Sequence, residues 1–182
     1  MKSPDNGSGR PPWLIYWRER GRPGKSLTTP QNLLYLLDLS DTALQRHLDG
    51  LTGDDALRQP PFRGNSLNWV MGHIVEGRNF MLELLGEPRV WSEAQCAPYA
   101  TRSAPITGPA VPHYAWDDIL AAAAESLRRL RAKLQSLPAA SLPGGEDEGL
   151  GAMLLRMAWH EAYHAGQVEY LRQLAGKDDR VL

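Results

Sequence analysis

Three histidines carry the clearest potential for chemistry in this chain. His160 and His164 stand four apart in WHEAYHAGQVEYLRQL, and His73 stands in SLNWVMGHIVEGRNFMLELLG. Positions i and i+4 share one face of a helix, so the first two imidazoles can aim at one point. Both fall on an apolar line (Leu150, Met153/Leu154, Met157, His160, His164, Val168, Leu171, Leu174), and His73 falls on a second (Leu67, Val70, His73, Gly77, Phe80/Met81, Leu84). A neutral imidazole has one donor and one acceptor, and a buried polar group left unpaired costs roughly 1–3 kcal/mol. Two arrangements meet that demand. Each ring finds its own hydrogen-bond partner in the core, or three nitrogens share one divalent cation. Facing bundle helices lie about 8–10 Å apart and a metal–nitrogen bond spans about 2.0–2.1 Å, so rings from two helices can meet. Gly72, Gly77 and Ala165 would leave room there. His47, beside the leucine line of its helix, and His113, in a loop, are expected at the surface or an edge.

HEAYH also satisfies H-E-x-x-H, in which Glu161 would be the general base of a zinc peptidase. The extended form of that motif needs Gly three residues after the second histidine and His three further on, places held here by Gln167 and Tyr170. The other common form takes a glutamate from a later helix, and eighteen residues follow His164 in the sequence. No strand is expected to grip a peptide. Glu161 stays a candidate base for bound water, with a solvent-facing or ligand-supporting carboxylate as the simpler reading.

The elements that would position these groups are helical. TTPQNLLYLLDLSDTALQRHL opens with Thr28/Thr29 as caps and Pro30 at the first helical position, and Leu33, Leu37, Leu44, Leu48 and Leu51 recur at one or two helical turns, predicting a helix over about 30–49. A second runs from a cap at Asn65 or Ser66 to Gly86, with Pro88 beyond it. WDDILAAAAESLRRLRAKLQSL is a third, its apolar positions recurring by three and four, with Asp117 and Asp118 at the dipole's positive end. The fourth covers about 150–175. The periodicity is helical throughout, and no stretch alternates cleanly with period two. The expected fold is an all-α four-helix bundle over 28–177, with an N-terminal arm at 1–27 and a short tail at 178–182.

Residues 87–113, with five prolines, form a long connector of the kind that serves as a lid or binding loop. The arm is polar and rich in Pro, Gly and Arg around an aromatic run, Trp13-Leu14-Ile15-Tyr16-Trp17. It reads as a tail, or else as a strap that docks its aromatics on the domain or a second subunit.

Composition limits the function classes. The 182 residues are 42% hydrophobic and 23% charged, with a net charge of −1. That is globular composition with no basic footprint for nucleic acid or an anionic membrane. A single cysteine, Cys96, rules out an internal disulfide and any cysteine-based metal cluster. With no signal peptide and no span, a cytoplasmic protein is expected.

The pairing of SLNWVMGHIVEGRNFMLELLG with WHEAYHAGQVEYLRQLAGK resembles the DinB/YfiT-like superfamily of small helical-bundle metalloproteins. The likeness runs from about Thr29 to Lys177. Its most specific part is the histidine of the second helix followed, some ninety residues on, by H-x-x-x-H-x-G-Q. The resemblance implies one divalent metal, zinc or nickel before iron or copper, held by His73, His160 and His164. Gln167 matches the family's glutamine after the last ligand, and orientation of a ligand, contact with bound water or plain surface filling are its open roles. Characterised relatives look like metal-dependent thiol transferases, which implies a small-molecule substrate and a low-molecular-weight thiol. A water-activating hydrolase and a non-enzymatic metal-binding stress module are the alternatives. Glu76, Arg78, Asn79 and Trp91 are rim candidates by position only, with a structural role as the simpler reading of each. Exposed bundle faces often pair, so a homodimer is an expectation.

Overall fold

A computed structural model describes residues 28–142 and 149–177; the arm at 1–27 and the tail at 178–182 lie outside the described residues. The helices are α1 (Pro30–Leu48), α2 (Gly53–Ala56), α3 (Leu67–Leu84), α4 (Glu93–Cys96) with a 3-10 turn (Ala97–Tyr99) after it, α5 (Trp116–Ser136) and α6 (Leu150–Leu174). No strand occurs among the described residues. The all-α bundle expected from the periodicity is the fold that forms.

Local chemistry sets the helix ends. Thr29 Oγ1 accepts from Asn32 N, and Pro30 begins α1 without an amide proton to satisfy. Ser66, rather than Asn65, caps α3 by accepting from Trp69 N. Gly86, in the left-handed region at φ 74°, lets the amide of Glu87 turn back to the carbonyl of Leu82 and close the helix.

Long-range pairs fix the helix directions. Thr28 packs against Gly151 at one end, and Arg172 reaches the carbonyls of His47 and Asp49 at the other, so α1 and α6 run parallel. Asn68 donates to the Tyr114 carbonyl, Arg78 to that of Ala123, and Lys133 pairs with Glu87, so α3 and α5 are parallel too. The order around the bundle is α1–α6–α3–α5, with α5 diagonal to α6. Two consecutive parallel helices need a connector that returns the length of the first, about 27 Å for the 18 residues of α3. That explains the long 85–115 segment. It is no structureless lid: Trp91, Cys96, Tyr99 and Ile106 are buried and pack it onto α3.

Helix α3 is central, with 14 of its 18 residues buried. The core falls into two apolar layers. One holds Val70, Ile74, Tyr99, Ile119, Ala165 and Val168, and the other Leu33, Leu37, Met81, Leu130, Leu154 and Met157. Between them lies a buried ion pair. Arg78 Nε and Nη2 donate to the two oxygens of Glu161 at 2.9 and 2.6 Å, while Nη1 donates to the Ala123 carbonyl at 2.7 Å. Burial opposes the charge on Arg78, and Glu161, with Asp41 behind it, more than restores it.

That pair rotates α6 relative to the line drawn from its hydrophobic residues. The buried line is Leu154, Met157/Ala158, Glu161, Ala165, Val168 and Arg172, whereas Leu150 is exposed and Met153, His160, Leu171 and Leu174 are half-buried. Polar residues occupy core positions because each has a long-range partner, Arg78 for Glu161 and the α1 carbonyls for Arg172.

Candidate metal centre

The histidines on α3 and α6 converge at the seam between the two helices. Nε2 of His160 lies 3.2 Å from Nε2 of His73 and 3.0 Å from Nε2 of His164. One ligating nitrogen from each ring lies within 4.8 Å of the others. His73 and His164 are buried, and His160, on the edge of the buried face, is half-exposed. Four metal–nitrogen bonds of about 2.0–2.1 Å set neighbouring nitrogens about 3.3 Å apart in a tetrahedron and about 2.9 Å apart at right angles. The two close separations fall between those values.

The far nitrogens decide the proton inventory. Nδ1 of His73 lies 2.7 Å from the carbonyl oxygen of Tyr99, which can only accept, so Nδ1 carries the proton. Nδ1 of His164 lies 2.7 Å from Oε1 of Gln167, with the same consequence. Both rings, when neutral, present a bare lone pair at Nε2. At most one proton, on His160 Nε2, could sit between them, and it can serve one neighbour. At least one lone pair therefore faces another nitrogen unless a cation lies among them.

Protonation of a ring is the other way to relieve that contact, and the surroundings oppose it. Burial, then the charges of His164 and His73, hold His160 down to about 3. Burial and His164 hold His73 down to about 4, against the hydrogen bond that His73 donates to the Tyr99 carbonyl. Burial lowers His164 as well, with Gln167 pulling the other way. Near neutral pH the rings are unprotonated and suited to a metal.

The supports come from separate parts of the chain. Trp69, one turn before His73, stacks on its ring at 4.6 Å and 22°, and is held by Nε1 donating to Ser103 Oγ. Tyr99 is fully buried; its hydroxyl donates to Asn68 Oδ1 and accepts from Tyr114 N, and burial pushes its pKa up to about 12. Gln167, braced by a hydrogen bond from its Nε2 to the Tyr163 hydroxyl, turns its oxygen to His164. Its oxygen thus faces the His164 ring rather than solvent. Tyr99 was the residue sequence reasoning missed, because a backbone carbonyl leaves no side-chain signature.

Several expectations for this region are corrected. Glu161 is neither solvent-facing nor free to act as a base for bound water, since both carboxylate oxygens are engaged by Arg78. Arg78 itself is a core residue, 1% exposed, not a rim residue. Asn79 is fully buried too, and its Oδ1 accepts from Val90 N and Trp91 N, tying the connector to α3. Trp91 is buried against Tyr99. Glu76 alone of these four stays near the site at partial exposure, with Oε2 3.5 Å from Nδ1 of His73 and a carboxyl raised by burial.

Gly72 makes no room for a metal. A Cβ there would overlap ring carbons of Tyr99, so the glycine is the socket for that side chain. Gly77 admits α6: a Cβ would stand 3.1 Å from Met157 Cε and 3.8 Å from His160 Nδ1. Ala165 is packed in the core. His47 is buried rather than at an edge, with no hydrogen-bond partner for its Nδ1 among the described residues. His113 is half-buried in its loop, with Nδ1 2.7 Å from the Val111 carbonyl.

A sequence model of the DinB superfamily matches residues 36–168. The chain belongs to the DinB superfamily. The matched range contains all three histidines, Gln167 and the connector that carries Tyr99, while the N-terminal arm lies before it. Among curated proteins no match is found. This DinB superfamily member carries three imidazoles at a helix seam, two of them of fixed tautomer. No helix among the described residues is long and apolar enough to cross a membrane.

Proposed function

We propose that this DinB superfamily protein binds one divalent metal ion through Nε2 of His73, His160 and His164, and serves as a metal-dependent enzyme that activates a low-molecular-weight thiol for transfer to an electrophile. The observation that carries the reading is the convergence of three Nε2 atoms with two opposite Nδ1 atoms committed to acceptors. Three imidazole nitrogens suit zinc or nickel. His73, His160 and His164 would hold the ion with fewer ligands than a closed structural site, and the chemistry it would supply is ionisation of a bound thiol or water near neutral pH.

The chain's own residues favour the thiol. The peptide- or ester-cleaving alternative needs a general base for water and an acid for the leaving group, and the carboxylate best placed by motif, Glu161, is held by Arg78. A thiol, with an ordinary pKa of about 8.5, needs less assistance to ionise than water does. Trp69 and the Tyr99 carbonyl keep His73 in one orientation, Gln167 does so for His164, and Gly77 sets the approach of His160.

Metal analysis of the purified protein tests the site: one equivalent is expected in wild type and well under half in His73→Ala, His160→Ala and His164→Ala. The metal-loaded protein should then consume a small thiol in the presence of a haloaromatic or epoxide, and stop on chelation. Turnover of generic esters without thiol would replace the transferase reading with a hydrolase. Metal binding with neither activity would leave a binding module.

A further inference from the structure

The seam between α1 and α6 opens outward into an apolar groove of about 530 Å³ lined by Leu36, Leu155, Arg156, Ala158, Trp159 and Ala162. Trp159 is 51% exposed, and Leu39 and Tyr163, at 50% and 54%, extend the same face. A contiguous apolar patch of this kind on a folded domain marks a contact surface. The groove has the size of a ligand pocket, about 300–1,000 Å³, yet only one of its six lining side chains is polar. Its chemistry asks for large apolar side chains.

The chain supplies them. The one apolar run in the arm before Thr28 is Trp13-Leu14-Ile15-Tyr16-Trp17, whose two indoles would each have about 150–250 Å² to bury. The arm also starts in the right place. Thr28 is buried against Gly151, where the N-termini of the parallel helices α1 and α6 meet, at one end of the seam that forms the groove. Leu36 is eight residues along from Thr28 and Trp159 eight along from Gly151, each a rise of about 12 Å. The ten residues 18–27 can extend to about 33–36 Å, so Trp17 reaches the groove with chain to spare.

We propose that the groove between α1 and α6 is the docking site of the chain's own N-terminal arm, filled by the Trp13–Trp17 segment. A second copy of the chain competes poorly for the same surface. A short tether holds the arm at an effective concentration of about millimolar, well above that of free protein. The proposal does not depend on the metal reading, since none of the six lining residues is a histidine and the test needs no metal.

Cross-linking of the full-length chain tests it. Tyr16→Cys combined with Ala162→Cys places thiols on the arm and on the groove, and the native Cys96 is buried. A short bismaleimide should give an intrachain link, in monomer, about ten-fold faster than the same arm cysteine paired with Arg128→Cys, exposed on diagonal α5. Adding Trp13→Ala and Trp17→Ala should bring the rate down to that of the Arg128→Cys pair. Links that join two chains would overturn the proposal in favour of a second copy. Equal rates at positions 162 and 128, or no link at 162, would overturn it outright.

Discussion

Nδ1 of His164 and Oε1 of Gln167 lie 2.7 Å apart, one turn of α6 from each other, and this contact commits the opposite nitrogen of the ring to act as an acceptor. An acceptor oxygen on the far side of a metal-binding imidazole fixes both tautomer and orientation. Gln167→Ala is therefore expected to weaken zinc or nickel binding by about ten- to a hundred-fold with the helix content unchanged. Gln167→Glu, which keeps an acceptor, should retain binding. Competition with a chromophoric chelator measures both; equal affinity in wild type and Gln167→Ala would remove the role assigned to Gln167.

The buried pair between the two core layers separates stability from chemistry. Removing one partner strands the other charge, so Glu161→Gln or Arg78→Met should each cost about 3–5 kcal/mol in denaturant unfolding. The double variant Arg78→Met/Glu161→Met should recover much of that loss. If folded at the assay temperature, Glu161→Gln should keep metal-dependent thiol consumption near wild type. A loss of turnover of a thousand-fold, with metal retained, would restore Glu161 as a base.

Two helical glycines predict opposite outcomes. Gly72→Ala puts a methyl into the space of the Tyr99 ring, which must move and carry with it the carbonyl that orients His73. Loss of about 1–3 kcal/mol or more, together with weaker metal binding, is expected. Gly166, on the exposed side of α6, has nothing within 4 Å of a built Cβ. Gly166→Ala should stabilise by roughly 0.5–1 kcal/mol, as Ala does over Gly in a helix interior, and leave metal binding alone. Thermal melts with and without metal distinguish the two.

Acid should destabilise the metal-free protein. His73 and His160 are held to about 4 and about 3 in the fold, below their ordinary 6.5. Between those limits the unfolded chain takes up protons that the folded chain refuses, so this stability is present above about pH 6.5 and lost as pH falls toward 4 and 3. A decline on the order of a few kcal/mol from pH 7 to 4 is expected in chelator-treated protein. Bound metal should be released over the same acid range, because protons compete for the same Nε2 lone pairs. Unfolding free energies that stay flat from pH 7 to 4 would count against the buried neutral cluster.

Much of this protein is written in local pattern. Leu33, Leu37, Leu44 and Leu48 recur with the period of a helix and are buried, and the starts and stops at Thr29, Ser66, Gly86 and Gly176 follow from side-chain caps and from backbone that glycine adopts freely. These are interactions among residues three or four apart, so the order of the chain is enough to reveal them. The spacing of His160 and His164, with His73 on another helix, likewise announced a shared site. The remainder depended on residues far apart in sequence. Glu161 lies on the buried line of α6 because Arg78, 83 positions earlier, meets it there, and no period within α6 contains that fact. The proline-rich connector turned inward because parallel α3 and α5 require a return across the bundle, and that return brings the Tyr99 carbonyl to His73. Helix periodicity chooses which residues share a face. Only packing against the other helices chooses which way the face points, and so which polar groups meet.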